Sequence, residues 1–154
     1  MLARLLKRLT QRTALASDPK RLGQAGEHFA ARYLRRKGYR ILARNARLKH
    51  GEADIVCECP HREAIVIVEV KTRLRGSGRS IQGETVAPEA SVTSRKRAKL
   101  AAILQTLRRA NGWERRLMRV DVVAIEWPLG RGRPRLRHHE SVMFQRADVR
   151  NAAR

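Results

Sequence analysis

Acidic residues are scarce in this chain, and three positions near its most hydrophobic stretch combine residue types that hydrolysis can use. Asp54 lies in GEADIV, and Glu69 and Lys71 lie in AIVIVEVK. An ionised carboxylate inside so apolar a run is costly unless it pairs or binds a cation. In an extended strand Glu69 and Lys71 share one side, alternating with Val68 and Val70. If Asp54 sits on the neighbouring strand and faces the same way, two carboxylates and an ammonium converge. Two carboxylates can hold Mg²⁺, which retains several waters and lowers the pKa of one of them. A lysine beside them can orient that water, help deprotonate it, or stabilise developing negative charge. That is the equipment of phosphodiester hydrolysis. The competing reading is an ion pair, Glu69–Lys71 or Asp54–Lys71, that only holds the sheet together.

Other residues extend the constellation. Glu27 falls at the border of an apolar helical face and can lean over the sheet as a further metal ligand. Alternatively it is a helix Glu favoured by the dipole or paired with Arg32. Glu52, two residues before Asp54, shares its side of the strand, and is either a secondary ligand or a hairpin cap. Arg95, Lys96 and Arg97 open a second helix and suit phosphate binding, or form a solvated face. Asp121 is a lone acid in RVDVVAI and reads as structural, paired with a core arginine. Cys57, Cys59 and His61 spell Cys-x-Cys-x-His, but no fourth zinc ligand is evident, so buried free thiols are expected. His28, His50, His61, His138 and His139 show no ligand spacing.

The elements that must position these groups are legible. Leu22, Ala25, Phe29, Ala30, Tyr33 and Leu34 mark one face of a helix over 20–37, with Asp18 and Pro19 at its start and Gly38 as its stop. Strands are predicted over 39–48, 52–59 and 64–71, the last buried on both faces. Residues 72–88 are rich in Gly, Ser and Arg and read as a mobile loop. A second helix over 91–110 carries Leu100, Ile103, Leu104 and Leu107, followed by a strand over 119–127, a basic GRGRPR loop and a short edge strand over 136–144. The order αβββαβ, with a final β, predicts an α/β mixed sheet with a crossover unit.

Composition bounds the class. A length of 154 residues suits one domain, and 42% hydrophobic residues argue for a folded one. Only 4% are aromatic, which argues against base-stacking platforms and for an aliphatic core. Lys and Arg number 35 against 14 Asp and Glu, and the resulting +21 attracts polyanions without separating DNA from RNA or the ribosome. No apolar stretch is long enough to span a membrane, and nothing requires an oxidising compartment, so a cytoplasmic protein is expected. The basic segment 1–17 places Leu2, Leu5, Leu6 and Leu9 at helical spacing and lacks the unbroken apolar region of a secretory signal. It is read as an extension or a short packed helix, with a transit peptide, membrane-surface helix or DNA-contacting arm as the other uses.

The blocks GQAGEHFAARYLRRKGYRIL, RNARLKHGEADIV, IVIVEVKTR, SVTSRKRAKL and RVDVVAI, in that order, resemble the bacterial YraN-like family over about residues 20–146. That family is endonuclease-related and resembles archaeal Holliday-junction resolvases within the PD-(D/E)xK superfamily. The resemblance implies a restriction-endonuclease-like core with helices flanking the sheet. Asp54, Glu69 and Lys71 match the superfamily signature, and Glu27 matches the helical acid of resolvase-like members. The signature's proline is replaced, since Ala53 precedes Asp54.

These readings converge on a nuclease-like domain over 18–146, between the 1–17 extension and a 147–154 tail. The expected activity is Mg²⁺- or Mn²⁺-dependent DNA endonuclease action on branched or recombination intermediates. Asp54, Glu69 and Lys71 would be catalytic, and Glu27, Asp54 and Glu69 the metal ligands. Arg73, Arg75, Arg79, Arg95 and Lys96 would track the backbone. A homodimer follows from the resolvase likeness. The rival functions are a non-catalytic nucleic-acid-binding accessory protein for DNA or RNA and a ribonucleoprotein component.

Overall fold

The computed structural model describes residues 18–75, 94–129 and 132–145. The 1–17 extension, the tail, most of the Gly- and Ser-rich segment and Arg79 lie outside the described residues. Helix α1 (Pro19–Arg36) starts as its residue types require: the Asp18 carboxylate accepts the N–H groups of Lys20 and Arg21 at 2.9 and 3.2 Å. It ends through Gly38, with Gly38 N–H donating to the Arg35 carbonyl and Tyr39 N–H to the Leu34 carbonyl, each at 3.0 Å. Strands β1 (Arg40–Leu48), β2 (Gly51–Glu58) and β3 (Ala64–Arg75) follow, then helix α2 (Ser94–Asn111) and strands β4 (Leu117–Pro128) and β5 (Arg135–Gln145).

The five strands form one mixed sheet in chain order. Neighbours pair antiparallel except β3 and β4, which run parallel and are joined across α2. The expected α/β architecture is present, with the final strand longer than its sequence suggested. One boundary differs in kind. Thr72, Arg73, Leu74 and Arg75 belong to β3 and not to a loop, because their parallel pairing with Ile125, Glu126, Trp127 and Pro128 continues the ladder. Tertiary pairing overrides the local Arg-rich composition, as it commonly does in strands.

Alternation along β3 explains its nearly continuous apolar sequence. Val66 and Val68 pack with Ala30, Ala31 and Leu34 of α1, whereas Ile65 and Ile67 pack with Leu100, Ile103, Leu104 and Leu107 of α2. Each such aliphatic side chain, buried from water, contributes about 1.5–3 kcal/mol. Helix α1 can lie this close because Gly26 has no side chain: a Cβ there would fall 1.8 Å from the Thr72 hydroxyl oxygen. Glu58 clamps the closed end of the β2–β3 pair. Buried itself, it takes the guanidinium groups of Arg116 at 2.6 Å and Arg40 at 2.9 Å. The hydrogen bonds from Arg116 and then Arg40 hold its carboxyl below the ordinary range. Cys57 and Cys59 are buried free thiols. Burial pushes Cys57 up to about 12, and His61 is exposed. Among the described residues no helix is long and apolar enough to cross a membrane.

Asp121 is the structural acid its sequence context suggested, with more partners than one arginine. Fully buried, it pairs with Arg119 at 3.0 Å and His138 Nε2 at 2.9 Å, and accepts the Ser141 N–H at 2.8 Å. Arg119 also donates to Tyr39 Oη and Glu140. Burial pushes the Tyr39 hydroxyl up to about 12, so it stays neutral as that acceptor. The β4–β5 register shifts at this point, between Val120 and Val122, and the carboxylate satisfies the backbone that the shift leaves over. Ser141 there has φ +57°, and Asn45 on the opposite edge strand has φ +50°. Removing one partner from a buried ion network leaves the others uncompensated. Asp121→Ala is therefore expected to cost about 3–5 kcal/mol of stability, and Asp121→Asn less, as measured by urea unfolding.

Candidate active site

The site forms where β2 and β3 part. Their ladder runs from Glu58↔Ile65 to Ile55↔Val68. One further step in the same register sets Asp54 opposite Glu69. At that step the Asp54 carboxylate accepts the Val70 N–H at 2.7 Å, in place of a backbone carbonyl. A side chain thus ends the ladder, and its remaining oxygen is held beside the gap. Glu69 and Lys71 follow Ile65 and Ile67 on the α2 face of the sheet by simple alternation. Lys71 Nζ lies 2.5 Å from Glu69 Oε1, with the lysine half exposed.

A cavity of about 650 Å³ opens here, lined by all four surrounding elements. Glu27 reaches it from α1, Glu52 and Asp54 from β2, Glu69 and Lys71 from β3, and Arg95 and Lys99 from α2. Four of the chain's 14 acidic residues share one cavity of a protein with net charge +21. Like charges at such range raise one another's proton affinity unless a cation joins them. Asp54 shows the effect. Burial raises its carboxyl above the ordinary range, the Val70 N–H bond offsets part of that, and the charges on Glu69 and Glu27 push it further up while Lys71 pulls it down.

The residues picked out from the sequence separate into three groups. Asp54, Glu69, Lys71, Glu27, Glu52 and Arg95 come together on the cavity wall. Glu27 is held there by Asn45 Nδ2 at 2.7 Å and not by Arg32, whose guanidinium lies over the Phe29 ring. Arg73 and Arg75 lie farther along β3, where Arg75 donates to the Arg133 carbonyl. Arg79 and the side chain of Lys96 are outside the described residues. Sequence reading missed Lys99 and Asn45. The signal for Lys99 was its spacing of four from Arg95, which places both on one helical face. Asn45 carries no chemical signature and is found only through its bond to Glu27.

The side chains that could hold a divalent cation here are few and all carry oxygen donors. Among the described residues no three His, Cys, Asp or Glu side chains are grouped as a metal cage. Asp54 and Glu69, with Glu27 nearby, instead offer oxygen ligands of the sort Mg²⁺ or Mn²⁺ uses when waters and phosphate oxygens fill the rest of its shell. Glu69 would have to exchange Lys71 for the ion.

A mixed sheet covered by a helix on each face, with an Asp and a Glu-x-Lys meeting where two central strands part, defines an α/β protein consistent with the restriction-endonuclease-like fold. The chain belongs to the family described as uncharacterised protein family UPF0102, which matches residues 26–125, and this is the YraN-like family its sequence blocks resemble. It is 34% identical over 136 residues to a UPF0102 protein of Herpetosiphon aurantiacus, covering 85% of this chain and 100% of that one. A UPF0102 protein of Symbiobacterium thermophilum is 41% identical over 118 residues, covering 76% and 92%. One from Syntrophomonas wolfei reaches 51% over 85 residues, covering 54% and 66%.

The raised pKa of Asp54 has a stability consequence. The folded state holds this proton more tightly than the unfolded chain, whose value lies near 3.8. Stability contributed by this group therefore falls as pH rises from the unfolded value through the folded one. Asp54→Asn, which keeps an oxygen for the Val70 N–H, is expected to be more stable than wild type at neutral pH. Urea unfolding midpoints should show the difference closing as pH falls below that window.

Proposed function

We propose that this protein is a divalent-metal-dependent endonuclease that hydrolyses DNA phosphodiesters. The observation that carries the reading is the meeting of Asp54, Glu69 and Lys71 at the point where β2 and β3 separate, open to a cavity. A protein that only adheres to polyanions gains nothing from placing carboxylates on its binding face. Asp54 and Glu69 would hold Mg²⁺ or Mn²⁺, with Glu27, already oriented by Asn45, as a supporting ligand. A bound ion would supply Lewis acidity and a water of lowered pKa. Lys71, released from Glu69, would orient the attacking water and offset charge developing on the phosphate oxygens. The strongly basic surface supplies attraction to the backbone without base specificity, so affinity should fall steeply with salt. Branched or recombination intermediates are the substrate class that the family resemblance suggests.

One observation favours a second reading. The carboxylates are not gathered into a ready-made metal cluster, as suits a non-catalytic nucleic-acid-binding accessory protein in which Glu69–Lys71 is a structural pair. Cleavage of labelled duplex, flap and four-way DNA with Mg²⁺ or Mn²⁺ separates the two. Wild type is expected to cut only with metal. Asp54→Ala and Glu69→Ala should lose activity by on the order of 10³-fold, and Lys71→Ala by about 10²-fold. Tight binding with no metal-dependent cleavage, or equal cleavage by the carboxylate variants, overturns the enzyme reading.

Exchange at Glu69 gives an independent check. If Lys71 stands where a cation would go, Lys71→Met removes a competitor and should tighten Mn²⁺ binding. For a pair whose lysine is half exposed the gain is up to about fivefold, equivalent to about 1 kcal/mol. Mn²⁺ titration followed by electron paramagnetic resonance measures it, and unchanged or weaker binding would mean the pair does not block the site.

A further inference from the structure

We infer that Lys99 is a substrate-phosphate contact, held on the α2 wall of the cavity, across from the carboxylates, by its seat on Gly51. This rests on the endonuclease reading and adds to it a second anchoring point for the substrate strand.

Lys99 begins from an unusual local arrangement. The β1–β2 hairpin turns through Gly51, whose φ of +143° is a backbone state that residues with a Cβ rarely adopt. A Cβ at this glycine would lie 2.5 Å from Lys99 Cε, 3.1 Å from its Nζ and 3.5 Å from Ile103 Cδ1. The end of the lysine side chain therefore runs over bare backbone, and the ammonium is carried to the turn beside Glu52. Arg95 lies one helical turn before Lys99, and both side chains line the cavity together with Ile103.

The two lysines of the cavity differ in their partners. Lys71 is paired with Glu69. Lys99 and Arg95 have no carboxylate within ion-pair distance among the described residues, although Glu52 lines the same cavity. An exposed ammonium seated on the turn next to Glu52 but not paired with it is available to an anion that enters the cavity. A polynucleotide strand whose scissile phosphate sits at Asp54 and Glu69 would extend its neighbouring phosphate toward this wall. Lys99 would then act with the metal-filled site, not simply as one more charge of a basic surface.

That distinction is testable by fluorescence anisotropy with a labelled DNA duplex, in Ca²⁺ and in EDTA, across a range of salt. The proteins compared are wild type, Lys99→Gln, Lys99→Arg, Gly51→Ala, Asp54→Ala and Arg36→Gln, the last a matched charge loss on the exposed end of α1. Wild type is expected to bind more tightly in Ca²⁺, and Asp54→Ala to lose that gain. Lys99→Gln should weaken binding in Ca²⁺ by about tenfold and reduce the salt slope by about one, with a clearly smaller loss in EDTA. Lys99→Arg should restore it, Gly51→Ala should reproduce the loss by displacing the lysine, and Arg36→Gln should lose equally in both conditions. If Lys99→Gln behaves as Arg36→Gln while the Ca²⁺ gain still depends on Asp54, the role of Lys99 is overturned and the metal site stands. If Ca²⁺ gives no gain in wild type, or Asp54→Ala keeps it, the site reading falls and this inference with it.

Discussion

The hydrogen bond from the Val70 N–H to the Asp54 carboxylate is the interaction on which the site depends. It lets two central strands separate without leaving a buried donor unpaired, a condition any break in a sheet must meet. It also fixes the acid in place, where burial first, and then the charges on Glu69 and Glu27, raise its pKa. The closed end of the same strand pair is secured by Glu58 with Arg40 and Arg116. Carboxylates at the two ends of one ladder thus do opposite work. Glu58 is paired with two arginines and stabilises the closure, whereas Asp54 keeps a raised proton affinity through burial and its acidic neighbours.

Most of the architecture follows from alternation and residue type. The run AIVIVEVK announces a strand covered on both faces, and period two alone puts Glu69 and Lys71 on one side. Asp18, Pro19 and Gly38 mark the ends of α1 by capping chemistry that needs no tertiary information. What escaped reading depends on partners distant in sequence. Thr72–Arg75 look like loop because two arginines lead there into a Gly- and Ser-rich run, yet β4 supplies their backbone partners. Lys99 sits among four basic residues, and only the packing of Leu100, Ile103 and Leu104 against the sheet decides which of them faces the carboxylates. Asp121 was visible as a lone acid with an arginine partner, but its bonds to His138 and Ser141 arise from a register shift that no local pattern encodes.

The two acidic centres also divide the molecule by face. The cavity draws Glu69, Lys71, Arg95 and Lys99 toward the α2 side of the sheet, while Asp121, Arg119, Tyr39 and His138 lie among groups packed on the α1 side. The Asp121 network has its charge balanced by Arg119 and accepts the backbone N–H of Ser141. Among the cavity carboxylates, Glu69 pairs with Lys71, whereas Asp54 is held by a backbone N–H and Glu27 by the Asn45 amide. That asymmetry in satisfaction, more than the number of acids, separates a group of binding candidates from a structural network.

The left-handed residues on the outer strands have a further consequence. Asn45 on β1 and Ser141 on β5 interrupt the straight run of backbone donors and acceptors that each rim of the sheet would otherwise present. A regular rim is a template on which another chain can add a strand. A protein this basic would be crowded along any polyanion it coats, where such templating is most dangerous because neighbours are held side by side. The kinks give this sheet two poor templates, so packing many copies on one polymer need not seed cross-β growth.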